Sequence, residues 1–209
     1  MELEIDVLNY YNSKGEAVSK EEFWKEKKIF MEHAEIKYRT KIKEIVAATA
    51  AVFDVKEKLR IVYNYFIDNV QYDYEVLKTV DEKGTVSPIS HPFWNKWGFG
   101  SHEKYTPLLV NRGVCFGIAA AFQDICSQMG IDCEMVHGKT VIIDEKEVAL
   151  NHTWNKVKIG DKELFVDATY GILNRDKELD EMAYFLIDQE QLETIGPHHD
   201  FADAKSKTR

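Results

Sequence analysis

The chain has 209 residues, 27 of them Lys or Arg and 36 Asp or Glu, for a formal net charge of −9 at pH 7. Its 44% hydrophobic and 12% aromatic content rules out a disordered polymer, and the acidic balance leaves no basic footprint for nucleic acid. No stretch approaches the roughly 18 to 20 apolar residues of a membrane span.

The start, Met1-Glu2-Leu3-Glu4-Ile5-Asp6, lacks the basic and apolar regions of a signal peptide, so the expectation is a cytoplasmic protein with no membrane partner, with a trimmed leader or secretion by another route left open. Further on, Ser19 with Glu22 and Asp54 with Glu57 are capping-box patterns, each ahead of an apolar stripe at helical spacing. The first stripe is Phe23, Phe30, Met31, Ala34 and Tyr38; the second is Leu59, Val62, Tyr63, Phe66 and Val70. Between them Ile42, Ile45, Val46, Thr49 and Val52 predict a separate middle helix.

Residues 73–113 change character. Pro88, Pro92, Pro107, four glycines and the aromatics Phe93, Trp94, Trp97 and Phe99 predict a long irregular region. It serves either as a recognition surface or as a loop pinned to the core by its rings. From Val114 to Met129, Ile118, Phe122, Ile125 and Met129 recur at helical spacing, with Gly130 at the C-cap position. Strand patterns follow around 132–137, 139–143, 152–159, 163–169 and 184–187.

The three cysteines, Cys115, Cys126 and Cys133, contain no C-x-x-C pair, which disfavours a zinc knuckle and a disulfide scaffold. Cys115 falls in the first turn of the predicted helix. Unpaired N–H groups and the positive end of the helix dipole stabilise a thiolate there, and the same groups suit an oxyanion. Gly113 just ahead leaves room for a substrate backbone. Cys126 lies three turns deeper and Cys133 at a strand start between Asp132 and Glu134; both read as core thiols.

Gly160-Asp161 marks a hairpin between residues 152–159 and 163–169. A loop centred there pairs Val157 with Leu164 and puts Ile159 and Val166 on one apolar face. His152, Trp154, Phe165 and Asp167 share the other, with Asp167 diagonal to His152. A one-residue slip separates the imidazole from the carboxylate. Thiol, imidazole and carboxylate together make the nucleophile, base and orienter set of acyl transfer. His198-His199 with Asp200 shows no third ligand at fixed spacing, so no metal and no cofactor is expected.

The run Asn111-Arg112-Gly113-Val114-Cys115-Phe116-Gly117-Ile118 resembles the nucleophile helix of the transglutaminase-like superfamily. His152-Thr153-Trp154-Asn155 resembles its histidine strand and Phe165-Val166-Asp167-Ala168-Thr169 its aspartate strand. Ile67–Asp73 and Tyr184–Ile187 are similar to flanking features of bacterial members. The resemblance implies an α+β, papain-like core, its nucleophile helix packed on an antiparallel sheet, behind an N-terminal helical extension. The division is then 1–54 extension, 55–200 catalytic domain and 201–209 tail. It implies Cys115 as nucleophile, His152 as base and acid, Asp167 as orienter, Tyr72 as an oxyanion donor and Trp154 as a wall of the site. The implied reaction attacks a carboxamide or peptide carbonyl of a protein or peptide substrate through a thioester. Amine transfer, deamidation and proteolysis all remain open, as does a catalytically silent binding or scaffold module. Oligomeric state is not legible.

Overall fold

Ser19 begins the first long helix. Its hydroxyl accepts from the Glu22 N–H at 3.2 Å while the Glu22 carboxylate accepts from the Ser19 N–H at 3.0 Å, closing the expected capping box. The structure, a computed structural model, describes residues 10–11, 16–77, 100–143, 147–195 and 198–200. The aromatic segment around Phe93, Trp94, Trp97 and Phe99 and the tail 201–209 lie outside the described residues.

After a short pairing of β1 (Tyr10–Tyr11) with β2 (Ala17–Val18), helix α1 runs unbroken from Lys20–Ala48. The two helices expected here are therefore one, because no glycine or proline interrupts the segment. Its buried residues are Ala34, Tyr38, Ile42 and Ile45, whereas Trp24, Ile29 and Phe30 remain exposed; the front of the predicted stripe stays at the surface. Helix α2 (Val55–Asn69) starts at Asp54, whose carboxylate accepts from the Glu57 N–H at 2.9 Å. Only half of that capping pattern forms, since the Glu57 carboxylate pairs with Arg60 at 2.5 Å.

After the short strand β3 (Gln71–Tyr72), the segment expected to be irregular contains ordered pieces: the single turn α3 (Tyr74–Leu77), α4 (Tyr105–Leu109) and β4 (Arg112–Gly113). Strands β3 and β4 pair in parallel, Tyr72 opposite Gly113. Helix α5 (Cys115–Gln128) follows and ends at Gly130, whose φ of 71° supplies the left-handed turn a C-terminus favours.

Beyond it lie β5 (Cys133–Ile143), β6 (Glu147–Ile159), β7 (Lys162–Val166), α6 (Ala168–Asp176), β8 (Phe185–Ile187), α7 (Gln189–Thr194) and β9 (His198–Asp200). The sheet order is β8-β7-β6-β5-β9, antiparallel throughout. The β6–β7 register pairs Val157 with Leu164 and Asn155 with Val166, as the hairpin pattern requires. The last strand of that pair stops at Val166, earlier than expected, because Asp167 caps α6 through the Tyr170 N–H at 3.1 Å.

One sheet face packs on α5 in the main core: Val157 and Val166 join Phe66, Ile118, Phe122 and the α1 residues Tyr38, Ile42 and Ile45. Trp154, Phe165, Tyr170, Tyr184 and Leu192 form a second cluster. A buried polar tie crosses the main layer, where the Asn155 amide donates to the Ala119 carbonyl at 3.0 Å. Among the described residues no helix is long and apolar enough to cross a membrane.

Candidate active site

Cys115 opens α5 and is half-buried. The N-cap residue, Val114, has no side-chain oxygen, so no side chain of its own caps the first-turn N–H groups. Its own N–H donates to the Ser101 carbonyl at 3.0 Å. The glycines around the thiol serve close packing. A side chain at Gly113 would meet Pro107 at 3.1 Å and the Ser101 carbonyl at 3.4 Å. Gly113 therefore lets Pro107 of α4 and the Ser101 carbonyl pack close to the backbone ahead of the thiol. Gly117 is tighter: a Cβ there would lie 2.9 Å from the carbonyl oxygens of both Ser101 and Glu103.

The imidazole and carboxylate meet. His152 Nε2 lies 2.5 Å from Asp167 Oδ2, and both residues are buried. Asp167 Oδ1 accepts from the Tyr170 N–H, and the Asp167 N–H donates to the Tyr184 carbonyl at 3.0 Å, so the carboxylate is fixed from both ends. Burial alone would disfavour the imidazolium. The charge and hydrogen bond of Asp167, followed by those of Cys115, overcome it and push the His152 pKa up to about 10. The ring is also clamped by aromatics: Trp154 stacks at 5.6 Å and 22°, and Tyr170 meets it edge-on at 5.3 Å and 77°. Tyr184 stacks on Tyr170 at 4.9 Å. Trp154 is only 1% exposed, so it backs the imidazole from within the fold.

Tyr72 stands level with Gly113 across the short parallel pair. Burial, then the charge of Cys115, holds its hydroxyl well above the ordinary tyrosine range, which keeps it a donor. Sequence reasoning missed what braces this strand. Asp73 is fully buried, accepts from the Ser101 hydroxyl and from the Glu75 N–H at 3.2 Å, and lies 3.9 Å from the Arg112 guanidinium. Asp73 follows Tyr72 and Arg112 precedes Gly113, so the pair sits at the ends of the short β3–β4 pairing. A buried carboxylate next to Tyr72 was the available signal, but nothing in the spacing links residue 73 to residue 101.

The other thiols lie elsewhere. Cys126 is fully buried, and a hydrogen bond to Cys133, reinforced by burial, pushes its thiol up. His198 and His199 fall on β9, opposite Val141 and Thr140. Among the described residues, no group of three or more His, Cys, Asp and Glu side chains is placed to hold a metal ion.

Residues 105–189 match the model of a family described as N-acetyltransferase, a stretch that contains Cys115, His152 and Asp167. Among solved structures the chain is similar to a transglutaminase, at a TM-score of 0.49 and 16% identity over 73% of this chain and 33% of that one. It is similar to a candidate cysteine protease from Cytophaga hutchinsonii, at a TM-score of 0.42 and 15% identity over 65% of this chain and 37% of that one. A third likeness is to a candidate protease from Parabacteroides distasonis, at 0.40 and 13% over 64% and 25% of the two chains. The chain thus spans between 25% and 37% of the length of these structures. No curated protein matches it.

Proposed function

We propose that the chain is a thiol enzyme of the transglutaminase-like kind, acting on a carboxamide or peptide bond of a protein or peptide. The observation that carries this reading is the 2.5 Å contact between His152 Nε2 and Asp167 Oδ2, both buried, on a ring whose protonated form Cys115 also favours. In the reaction, the Cys115 thiolate adds to the carbonyl carbon, and the oxygen becomes an oxyanion facing the first-turn N–H groups of α5 and the Tyr72 hydroxyl. The C–N bond breaks as the His152 imidazolium gives its proton to the leaving nitrogen, leaving a thioester. Water or a primary amine, deprotonated by His152, then displaces the thiolate. Asp167 holds the ring's orientation and supports its charge throughout.

The family match over residues 105–189 favours a second reading that uses the same thioester. There the Cys115 thiolate attacks an acetyl thioester, whose own thiol leaves with the His152 proton, and an amine nitrogen, deprotonated by His152, then takes the acetyl group as the Cys115 thiolate departs. Both readings require one reactive cysteine. Iodoacetamide is expected to label Cys115 faster than Cys126 and Cys133 near neutral pH, with His152→Ala removing the advantage. Equal slow labelling of all three would instead leave a binding or scaffold module. Incubation with a glutamine peptide and a tagged primary amine then separates amine incorporation, ammonia release and backbone cleavage, and acetylation of the amine from an acetyl thioester reports the second reading.

A further inference from the structure

Phe116 follows the nucleophile directly and is 43% exposed, although it is large and apolar. Its ring lies parallel to that of His137, with centroids 6.0 Å apart and planes 17° apart. His137 is itself exposed, on β5, and its Nδ1 is 3.1 Å from the Thr153 hydroxyl. That hydroxyl belongs to the residue after His152, and β5 pairs His137 with Thr153 and Gly138 with His152. Two flat rings from different elements are thus stacked at the surface, one adjoining the thiol in sequence and the other locked to the histidine strand. Phe116 contributes nothing to either buried cluster. A stack with an exposed outer ring accepts a third ring in the offset geometry that aromatic pairs prefer.

We infer that Phe116 and His137 form a specificity-determining ledge that takes an aromatic ring of the substrate flanking the carbonyl attacked by Cys115. This rests on Cys115 being the nucleophile. The ledge sets which acyl groups are presented to the thiol, and it does so for hydrolysis and amine transfer alike because both share the first step.

The test uses the full chain and three alkylating reagents, iodoacetamide, N-butyl iodoacetamide and N-benzyl iodoacetamide, with each Cys115 rate divided by that reagent's rate on glutathione. The benzyl reagent is expected to exceed the butyl reagent by roughly three- to tenfold. That ratio should fall to about one in Phe116→Ala, drop in His137→Ala, survive in Phe116→Tyr and be unchanged in Trp24→Ala, which lies on α1. A normalised benzyl rate no greater than the butyl rate, or a preference that persists in Phe116→Ala, overturns the ledge while leaving Cys115 as the nucleophile. Equal slow labelling of all three cysteines by iodoacetamide overturns the catalytic reading and the ledge with it.

Discussion

Asp167 has two jobs on two oxygens. Oδ1 caps α6 and Oδ2 holds His152, so substitution by Asn keeps a capping acceptor and removes the charge. The sign of the resulting pH effect follows from the imidazole. His152 is held at about 10 against an ordinary 6.5, a raised folded-state pKa. Its contribution to stability is therefore full below about 6.5 and is lost as the pH rises through about 10. Denaturant midpoints of wild type and Asp167→Asn should differ most at pH 6 and converge by pH 10.5; a gap that widens with pH would contradict the assignment. Tyr72 gives a second residue-level prediction. Alkylation of Cys115 forms no oxyanion, so Tyr72→Phe should leave the iodoacetamide rate near wild type. Turnover of whichever amide or acyl substrate is accepted should fall by roughly 10²- to 10³-fold, the range for a lost oxyanion donor. Equal losses in labelling and turnover would show that Tyr72 only braces the site.

Among the elements, α5 depends most closely on one missing side chain. Helix propensity favours Ala over Gly by about 1 kcal/mol in a helix interior. At Gly117, however, the added Cβ meets two backbone carbonyls at 2.9 Å, and backbone cannot rotate away as a side chain can. The clash should win, with Gly117→Ala losing about 1–3 kcal/mol in urea unfolding and slowing Cys115 labelling as the helix start shifts. The same element shows what a sequence can and cannot disclose. The run from Ile118 to Met129 reveals the helix and the position of Cys115 because periodicity is local. The β6–β7 register is legible because a turn and an alternating pattern fix it together, and it is what brings His152 near Asp167. The early end of β7 was hidden, since Asp167 reads equally as a strand residue or an N-cap until α6 is known. The Ser101 and Asp73 contacts were hidden because they join residues 28 positions apart through no repeating pattern.

For the whole molecule, α1 belongs to the core. Tyr38, Ile42 and Ile45 are buried in the same cluster as Phe66 and Phe122, and the Tyr38 hydroxyl donates to Asp124 on α5 at 3.1 Å. The Tyr105 hydroxyl on α4 donates to Glu35 at 2.8 Å. Burying three such side chains is worth roughly 5–9 kcal/mol, comparable with the about 5–15 kcal/mol of a typical folded protein. A chain starting at residue 52 should therefore lose cooperative thermal unfolding and bind a hydrophobic dye; a sharp melting transition in that fragment would show that the remaining core suffices.

The strand order β8-β7-β6-β5-β9 also has a consequence for how the chain is made. Both outer strands come from residues 185–200, whereas the three inner strands span 133–166. On a ribosome, Cys115, His152 and Asp167 all emerge before either flank of the sheet can be covered. Two open hydrogen-bonding edges persist until residues 185–200 arrive and pair β8 with Phe165–Val166 and β9 with Lys139–Val141. A message truncated near residue 183 would encode Cys115, His152 and Asp167 and still yield a product prone to pairing strand to strand with its own copies.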